Sequence, residues 1–207
     1  MRDELIEPVT SLADLVASRL CHDLVNPLGA IGNGVELLEM TGKADGPEVE
    51  LIRDAVRAAE ARIRLFRLAF GGALPGQSTS LREAKLVVEG YFHQSRITAE
   101  WLATEDRSRQ ETKLGFLMLL CAETALPMGG NIRIGPDQMG HWQLEATGKR
   151  LNVDEDLWEV LRSGAPAHGR ALRPADAQFP VLLQAAEALG MTVNYVVEAE
   201  TFRMSTA

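Results

Sequence analysis

Apolar residues recur every three or four positions between residues 11 and 41, with Leu12, Val16, Leu20, Leu24, Leu28, Ile31, Val35 and Leu38 on one stripe. That is the spacing of an amphipathic helix. A second stripe, Ile52, Val56, Ala59, Ile63, Phe66 and Phe70, predicts another helix ending near Phe70. Between them TGKADGP (41–47) reads as a turn, with Gly42 as a C-cap and Pro47 at the first helical position. Helices of roughly 35–45 Å joined by so short a turn are antiparallel neighbours. A lone hairpin leaves much of its apolar surface wet. The pattern therefore predicts that two copies pair into a four-helix bundle about a two-fold axis.

GGALPGQ (71–77) interrupts this pattern and marks a boundary between a hairpin unit, residues 1–72, and a second unit, residues 78–207. Ser80 and Glu83 have capping-box spacing for a helix over about 81–93. RITAEWL (96–102) alternates as a strand does, and residues 110–126 form a buried helix. NIRIG (131–135) and HWQLEA (141–146) are strands around a PDQMG turn. DEDLWEVLR (154–162) and residues 176–189 are helices, and MTVNYVVE with TFRMS closes the chain as a hairpin. Irregular alternation of helices and strands predicts an α+β sandwich with helices on one face of a mixed sheet.

The first helix contains a stretch, CHDLVNPLGAIGNG (21–34), written against its own propensities. Proline costs ~3 kcal/mol and glycine ~1 kcal/mol relative to alanine inside a helix. On a helical wheel, position 22 lies about 200° from both Leu20 and Leu24, so His22 points outward. The same outer line carries Ser18, Asn26, Gly29, Asn33 and Glu36. An exposed histidine on a polar face is ordinary, but this one has unusual neighbours. Asp23 follows directly, and a carboxylate beside an imidazole fixes its tautomer. Asn26 is one turn on. Pro27 removes the usual donor to the Asp23 carbonyl and bends the helix, and Gly29 and Gly32 clear the approach. Neutral imidazole is a nucleophile that needs no neighbouring base. If the hairpin turns near residue 44, residue 22 is level with about residue 66, which gathers Arg62, Arg64 and Arg67 at its height. Such a cluster steers acidic partners.

Composition narrows the field. A formal charge of −8 and a pI near 5.1 over 207 residues argue against nucleic acid. Cys21 and Cys121 form neither a CxxC pair nor a disulfide framework; both read as buried small residues in a reducing cytoplasm. The N-terminus has no signal-like apolar run, and LGFLMLLCAETALPMGG (114–130) is interrupted by Glu123 and Pro127, so no membrane span is expected. His93, His141 and His168 lack ligand-like spacing. Glu123 in its apolar helix reads as a buried polar anchor.

HDLVNPL (22–28) resembles the H-box of two-component histidine kinases, a histidine followed by an acidic residue and then Asn or Thr with Pro-Leu. The resemblance implies that His22 is the phosphorylated residue, Asp23 its orienting acid, and Asn26 the polar group near the phosphoryl. It implies a partner surface of Ser18, Arg19, Gly29 and Asn33, with Arg62, Arg64 and Phe66 across from them. Residues 114–134, 141–151 and 179–198 resemble, in order, parts of the GHKL (Bergerat) ATP-binding domain of those kinases. Yet the family's chemistry is absent. Cys121 stands where the N-box asparagine binds Mg²⁺, and Ala146 where an aspartate binds adenine. Gly148 alone remains of the G1 glycines, and no glycine-rich loop precedes Phe179. Hard oxygen ligands for Mg²⁺ and glycines for phosphate approach are both missing.

A phosphorylatable hairpin joined to a degenerate ATP-binding domain resembles the ChpT-type histidine phosphotransferases of alphaproteobacteria. RLCHDLVNPLGAIGNGVELL (19–38) and ALPMGG (125–130) carry the match. The family implies a homodimer that relays a phosphoryl group from the receiver domain of a hybrid histidine kinase, through His22, to the receivers of response regulators. No cofactor of its own is expected, Mg²⁺ arriving with the receiver. Two other readings stay open: an ATP-dependent kinase with an atypical nucleotide site, and a non-catalytic dimeric scaffold.

Overall fold

The computed structural model describes residues 12–41 and 46–207, so the expected turn at Gly42 lies outside the described residues. Helix α1 (Leu12–Thr41) runs without interruption through Pro27, and α2 (Pro47–Ala69) begins at the expected proline. The two helices pack along each other. The seam is rotated from the stripe that periodicity marks: Leu15, Pro27 and Gly34 are buried on α1, and Ala55, Ala59 and Phe66 on α2. Leu28 and Val35, at the centre of the expected stripe, are exposed, as are Val25, Val56 and Ile63. One helix neighbour covers only part of an apolar arc wider than 100°. Pro27 therefore faces inward and does not shape the His22 side.

The end of α2 joins the core of the second unit, where Leu65, Leu68 and Ala69 are buried in one cluster with Val87, Leu114 and Leu117. Its last carbonyls, which have no intrahelical donor, are taken up from across the boundary. Arg109 Nη1 donates to Leu68 O at 3.0 Å and Nη2 donates to Arg67 O, while Lys113 Nζ donates to Gly71 O at 3.0 Å. Two cations at a helix C-terminus also complement its dipole. The glycine-rich stretch after α2 is thus tied down on both sides.

Beyond it come β1 (Ser78–Thr79), α3 (Leu81–Tyr91), β2 (Ile97–Trp101), β3 (Arg107–Ser108) and α4 (Arg109–Thr124). Ser80 caps α3 by accepting from Glu83 N, as its spacing predicts. Ser108 and Glu111 form a reciprocal capping box on α4. Then follow β4 (Gly130–Pro136), β5 (Trp142–Thr147), the short α5 (Glu155–Trp158) and α6 (Val160–Ser163), α7 (Gln178–Glu187), β6 (Val193–Val197) and β7 (Thr201–Thr206). The expected helix over 154–162 is split into α5 and α6 and stops at Gly164, whose φ of +82° is left-handed. The expected helix over 176–189 is a 3-10 turn, Pro174–Asp176, followed by α7.

The five-stranded sheet has the order β2-β4-β5-β7-β6, with β2 and β4 parallel and the other pairs antiparallel. Alternation sets its two faces. Ile132, Ile134, Trp142, Leu144, Ala146, Phe202 and Met204 are buried beneath the helices. The opposite face carries cross-strand ion pairs, Arg133–Glu100 at 3.3 Å and Arg203–Glu145 at 2.9 Å. This is the α+β sandwich the pattern predicts. Gly129 and Gly130, both at positive φ, turn the chain from α4 into β4, and a Cβ on either would fall 2.1–2.4 Å from a backbone oxygen. Among the described residues no helix is long and apolar enough to cross a membrane.

Candidate active site

Away from its seam with α2, α1 meets the 3-10 turn Pro174–Asp176 and α7 along the side that carries Arg19 and Asp23. His22 stands beside that contact on open helix surface, with 77% of its side chain exposed. Its Nδ1 lies 3.1 Å from Asp23 Oδ1. A carboxylate accepts hydrogen bonds and does not donate them, so the ring nitrogen facing it carries the proton. In the neutral ring Nε2, on the far side, then keeps its lone pair.

Asp23 is only 25% exposed, and its Oδ2 lies 3.4 Å from Arg19 Nε. Arg19 is expected on the partner surface and is instead 8% exposed. Its Nη1 donates to Ala175 O and to Gln178 Oε1, both at 2.5 Å. Burying a guanidinium is costly unless it is paired and hydrogen-bonded; these two acceptors offset that cost, and the buried Arg19 is unavailable to a docking protein. Phe66 is a second correction: it is buried in the hairpin seam and packs on Phe70. Cys21, read as buried, is exposed on α1, whereas Cys121 is fully buried and burial pushes its thiol well up.

Beneath Arg19 lies an acidic anchor. Tyr91 Oη donates to Glu123 Oε2 at 3.0 Å. Burial raises the Glu123 carboxyl above its ordinary range, against the pull of Tyr91 and of the Arg19 and Arg62 charges. Burial, and then Glu123, push the Tyr91 phenol well up.

Ser18, Asn26, Gly29 and Asn33 are exposed, on the helical line of His22. A Cβ added at Gly29 or Gly32 would meet open space. Nothing among the described residues requires glycine at either position. Arg62 and Arg64 line one groove of 530 Å³ with Tyr91, His93 and Glu123. Arg62 donates to Ala58 O at 3.3 Å and Arg64 to Glu60 at 3.1 Å. Arg67 lines no part of that groove; it pairs with Glu83 at 3.0 Å, so the expected three-arginine cluster is divided.

The residues at the positions that resemble a nucleotide site are packed into the core. Cys121 and Ala146 are fully buried. Asn152 N donates to Ala125 O at 3.0 Å, which lays the segment after Gly148 across the end of α4. A Cβ at Gly148 would meet Leu126 at 2.8 Å. Among the described residues no three His, Cys, Asp or Glu side chains gather as metal ligands.

A family model described as the histidine phosphotransferase C-terminal domain matches residues 81–201. The chain is 32% identical over 202 residues to protein phosphotransferase ChpT of Brucella abortus (strain 2308), a match covering 93% of this chain and 95% of the relative.

This chain belongs to the histidine phosphotransferase family.

Its fold agrees with that assignment. A solved structure described as a bacterial phosphotransferase, also 32% identical, superposes with a TM-score of 0.79 over 95% of both chains. The sequence match spans nearly the whole chain, so the likeness takes in the hairpin carrying His22 as well as the sheet unit. The protein is a phosphotransferase of two-component phosphorelay signalling. Two parts of the site escaped sequence reasoning. Arg19 at i−4 from Asp23 has the spacing of a helical ion pair, a signal that was present. The Ala175 carbonyl and Gln178 left no local signal.

Proposed function

We propose that His22 accepts a phosphoryl group from the phospho-aspartate of a hybrid kinase's receiver domain and passes it to the receiver aspartate of a response regulator. Nε2 attacks phosphorus in line, the P–O bond to the receiver carboxylate breaks, and the carboxylate leaves. Nδ1 keeps its proton throughout, so the phosphorylated ring is cationic, and Asp23 Oδ1 stands ready to stabilise it. The return step reverses this with a second receiver. Both carriers hold the phosphoryl at high transfer potential, and the task of the protein is orientation. The observation that carries the reading is the exposed imidazole with Nδ1 held and Nε2 open.

The relay works without ATP, because the positions of the N-box and G1 groups are filled by the buried Cys121 and Ala146. Mg²⁺ comes with the receiver. A second copy covers the exposed Val25, Leu28 and Val35 of α1 and the groove formed by Leu20, Leu24, Ile63 and Phe70, completing a four-helix bundle in the cytoplasm. The test is transfer from a ³²P-labelled receiver domain to the full chain in the absence of ATP, with solution mass measured alongside. Acid-labile label on the chain and a mass of two copies are expected. No label from any cognate receiver ends the relay reading, and a monomeric mass ends the bundle.

A further inference from the structure

The stretch between α6 and α7 has no glycine-rich loop, yet it is elaborately braced. Asp176, buried at the end of the 3-10 turn, accepts from Arg173 N, Nε and Nη2, each at 3.0 Å, and from Arg170 Nη2 at 3.4 Å. Burial works against its charge, but the bonds from Arg173 outweigh it and hold the carboxyl below its ordinary range. This fixes the preceding carbonyl, Ala175 O, and the start of α7, where Gln178 is fully buried. Both acceptors converge on Arg19 Nη1. The same guanidinium faces Asp23 Oδ2, and Asp23 Oδ1 faces His22 Nδ1. A contiguous path of polar contacts thus joins the sheet unit to the imidazole.

We infer that Arg19 is a positioning residue: clamped by Ala175 O and Gln178 Oε1, it holds Asp23, and through it the Nδ1–H tautomer of His22. Resting on the relay reading above, this gives the stretch between α6 and α7 a task in phosphoryl transfer. The geometry explains why a clamp is needed. His22 and Asp23 are adjacent in sequence, and adjacent helix residues diverge by about 100°. A carboxylate left to itself there faces bulk water, and its charge is among the influences that push the Glu123 carboxyl up, so the two acids are poor neighbours. Arg19 supplies the positive charge between the two and a rigid fork that cannot lose its proton.

The test separates this role from the relay itself by using phosphoramidate, a small phosphoryl donor that needs no docking surface. Its P–N bond breaks, ammonia leaves, and Nε2 takes the phosphoryl group. In the full chain, ¹⁵N NMR reads the His22 tautomer and ³¹P NMR the rate of Nε2 phosphorylation. Wild type is expected to hold one tautomer. Arg19→Gln is expected to give a tautomer mixture and phosphorylation slower on the order of tenfold, with Arg19→Lys recovering part of both. Gln178→Leu, which leaves Arg19 in place with one acceptor fewer, is expected to shift both readouts in the same direction by less. Unchanged tautomer and rate in a folded Arg19→Gln chain overturn the inference. If that variant does not fold, unchanged values in Gln178→Leu do so. A wild type phosphorylated by phosphoramidate but by no receiver overturns the relay and leaves the positioning role standing.

Discussion

Two histidines of this protein make nearly the same contact with a carboxylate, and what stands behind the two carboxylates differs. His22 Nδ1 is 3.1 Å from Asp23 Oδ1, and His168 Nδ1 is 2.9 Å from Asp156 Oδ1. His168 is the more exposed and lines a groove of 660 Å³. By pair distance and cavity alone it would be the stronger candidate. The difference lies one shell out. Asp156 is 46% exposed, and among the described residues its carboxylate meets only the imidazole. His168 itself sits in a short turn at φ +53°. Asp23 is backed by a buried arginine that is anchored on another element 156 residues away. A histidine–carboxylate contact is common chemistry; a carboxylate paired with a buried, anchored charge is the rarer thing, and it suits orientation-dependent transfer.

Removing the reacting atom should give the largest effect. His22→Ala is expected to reduce label uptake from a phosphorylated receiver to background, because no other imidazole pairs an open ring with a carboxylate backed by a buried arginine; His141, beside Asp137 at 3.9 Å, is half-buried. Label retained at a tenth of the wild-type level or more would place the phosphoryl elsewhere and dissolve the contrast. Asp23→Asn comes next. An amide can turn its NH₂ toward Nδ1 and select the wrong tautomer. Initial transfer rates should fall by roughly 10- to 100-fold, while the midpoint of thermal unfolding changes little.

The support behind Asp23 can be weakened at its far end. Asp176→Asn leaves Arg170 and Arg173 without their buried counter-charge and is expected to cost roughly 2–3 kcal/mol in urea unfolding. The sign of the acid response follows from the same carboxyl. Its folded-state value is depressed, so its contribution is present above the ordinary value of 3.8 and is lost as pH falls below it. Wild type should therefore lose stability below about pH 4 more steeply than Asp176→Asn does. Parallel acid curves for the two proteins would show that Asp176 braces nothing.

Much of this is legible in the sequence alone. The 3.6-residue period places His22 on the outside of α1, and the Ser80–Glu83 spacing places the start of α3, because both signals are local. The failures share a cause. Arg19 looks like surface because its acceptors are 156 and 159 residues further along the chain. Leu28 and Val35 look like core because periodicity reports that a face is apolar, not which partner covers it. Pro27 reads as a bend beside His22, yet α1 runs through it unbroken and it lies buried on the side away from that histidine. Strands of two residues, such as β1 and β3, are too short to show a period at all.

The smallest expected effect is the most discriminating one. If pairing with a carboxylate were enough to make a phosphoryl acceptor, Asp156→Asn and His168→Ala would each lower transfer measurably, since that pair is shorter than the one at His22. If the clamp decides, both variants should leave the transfer rate within about twofold and stability within about 0.5 kcal/mol, as for surface changes away from caps and buried networks. An exposed ion pair is worth little in any case, because solvent screens it and the side chains lose entropy in making it. Asp154 caps α5 and is bonded by Arg170, so the fold around His168 does not lean on Asp156. Transfer rates of the two variants beside Asp23→Asn measure how much of the site is the pair and how much is what stands behind it. A drop at Asp156 equal to that at Asp23 would put the two histidines on the same footing and remove the reason for singling out Arg19.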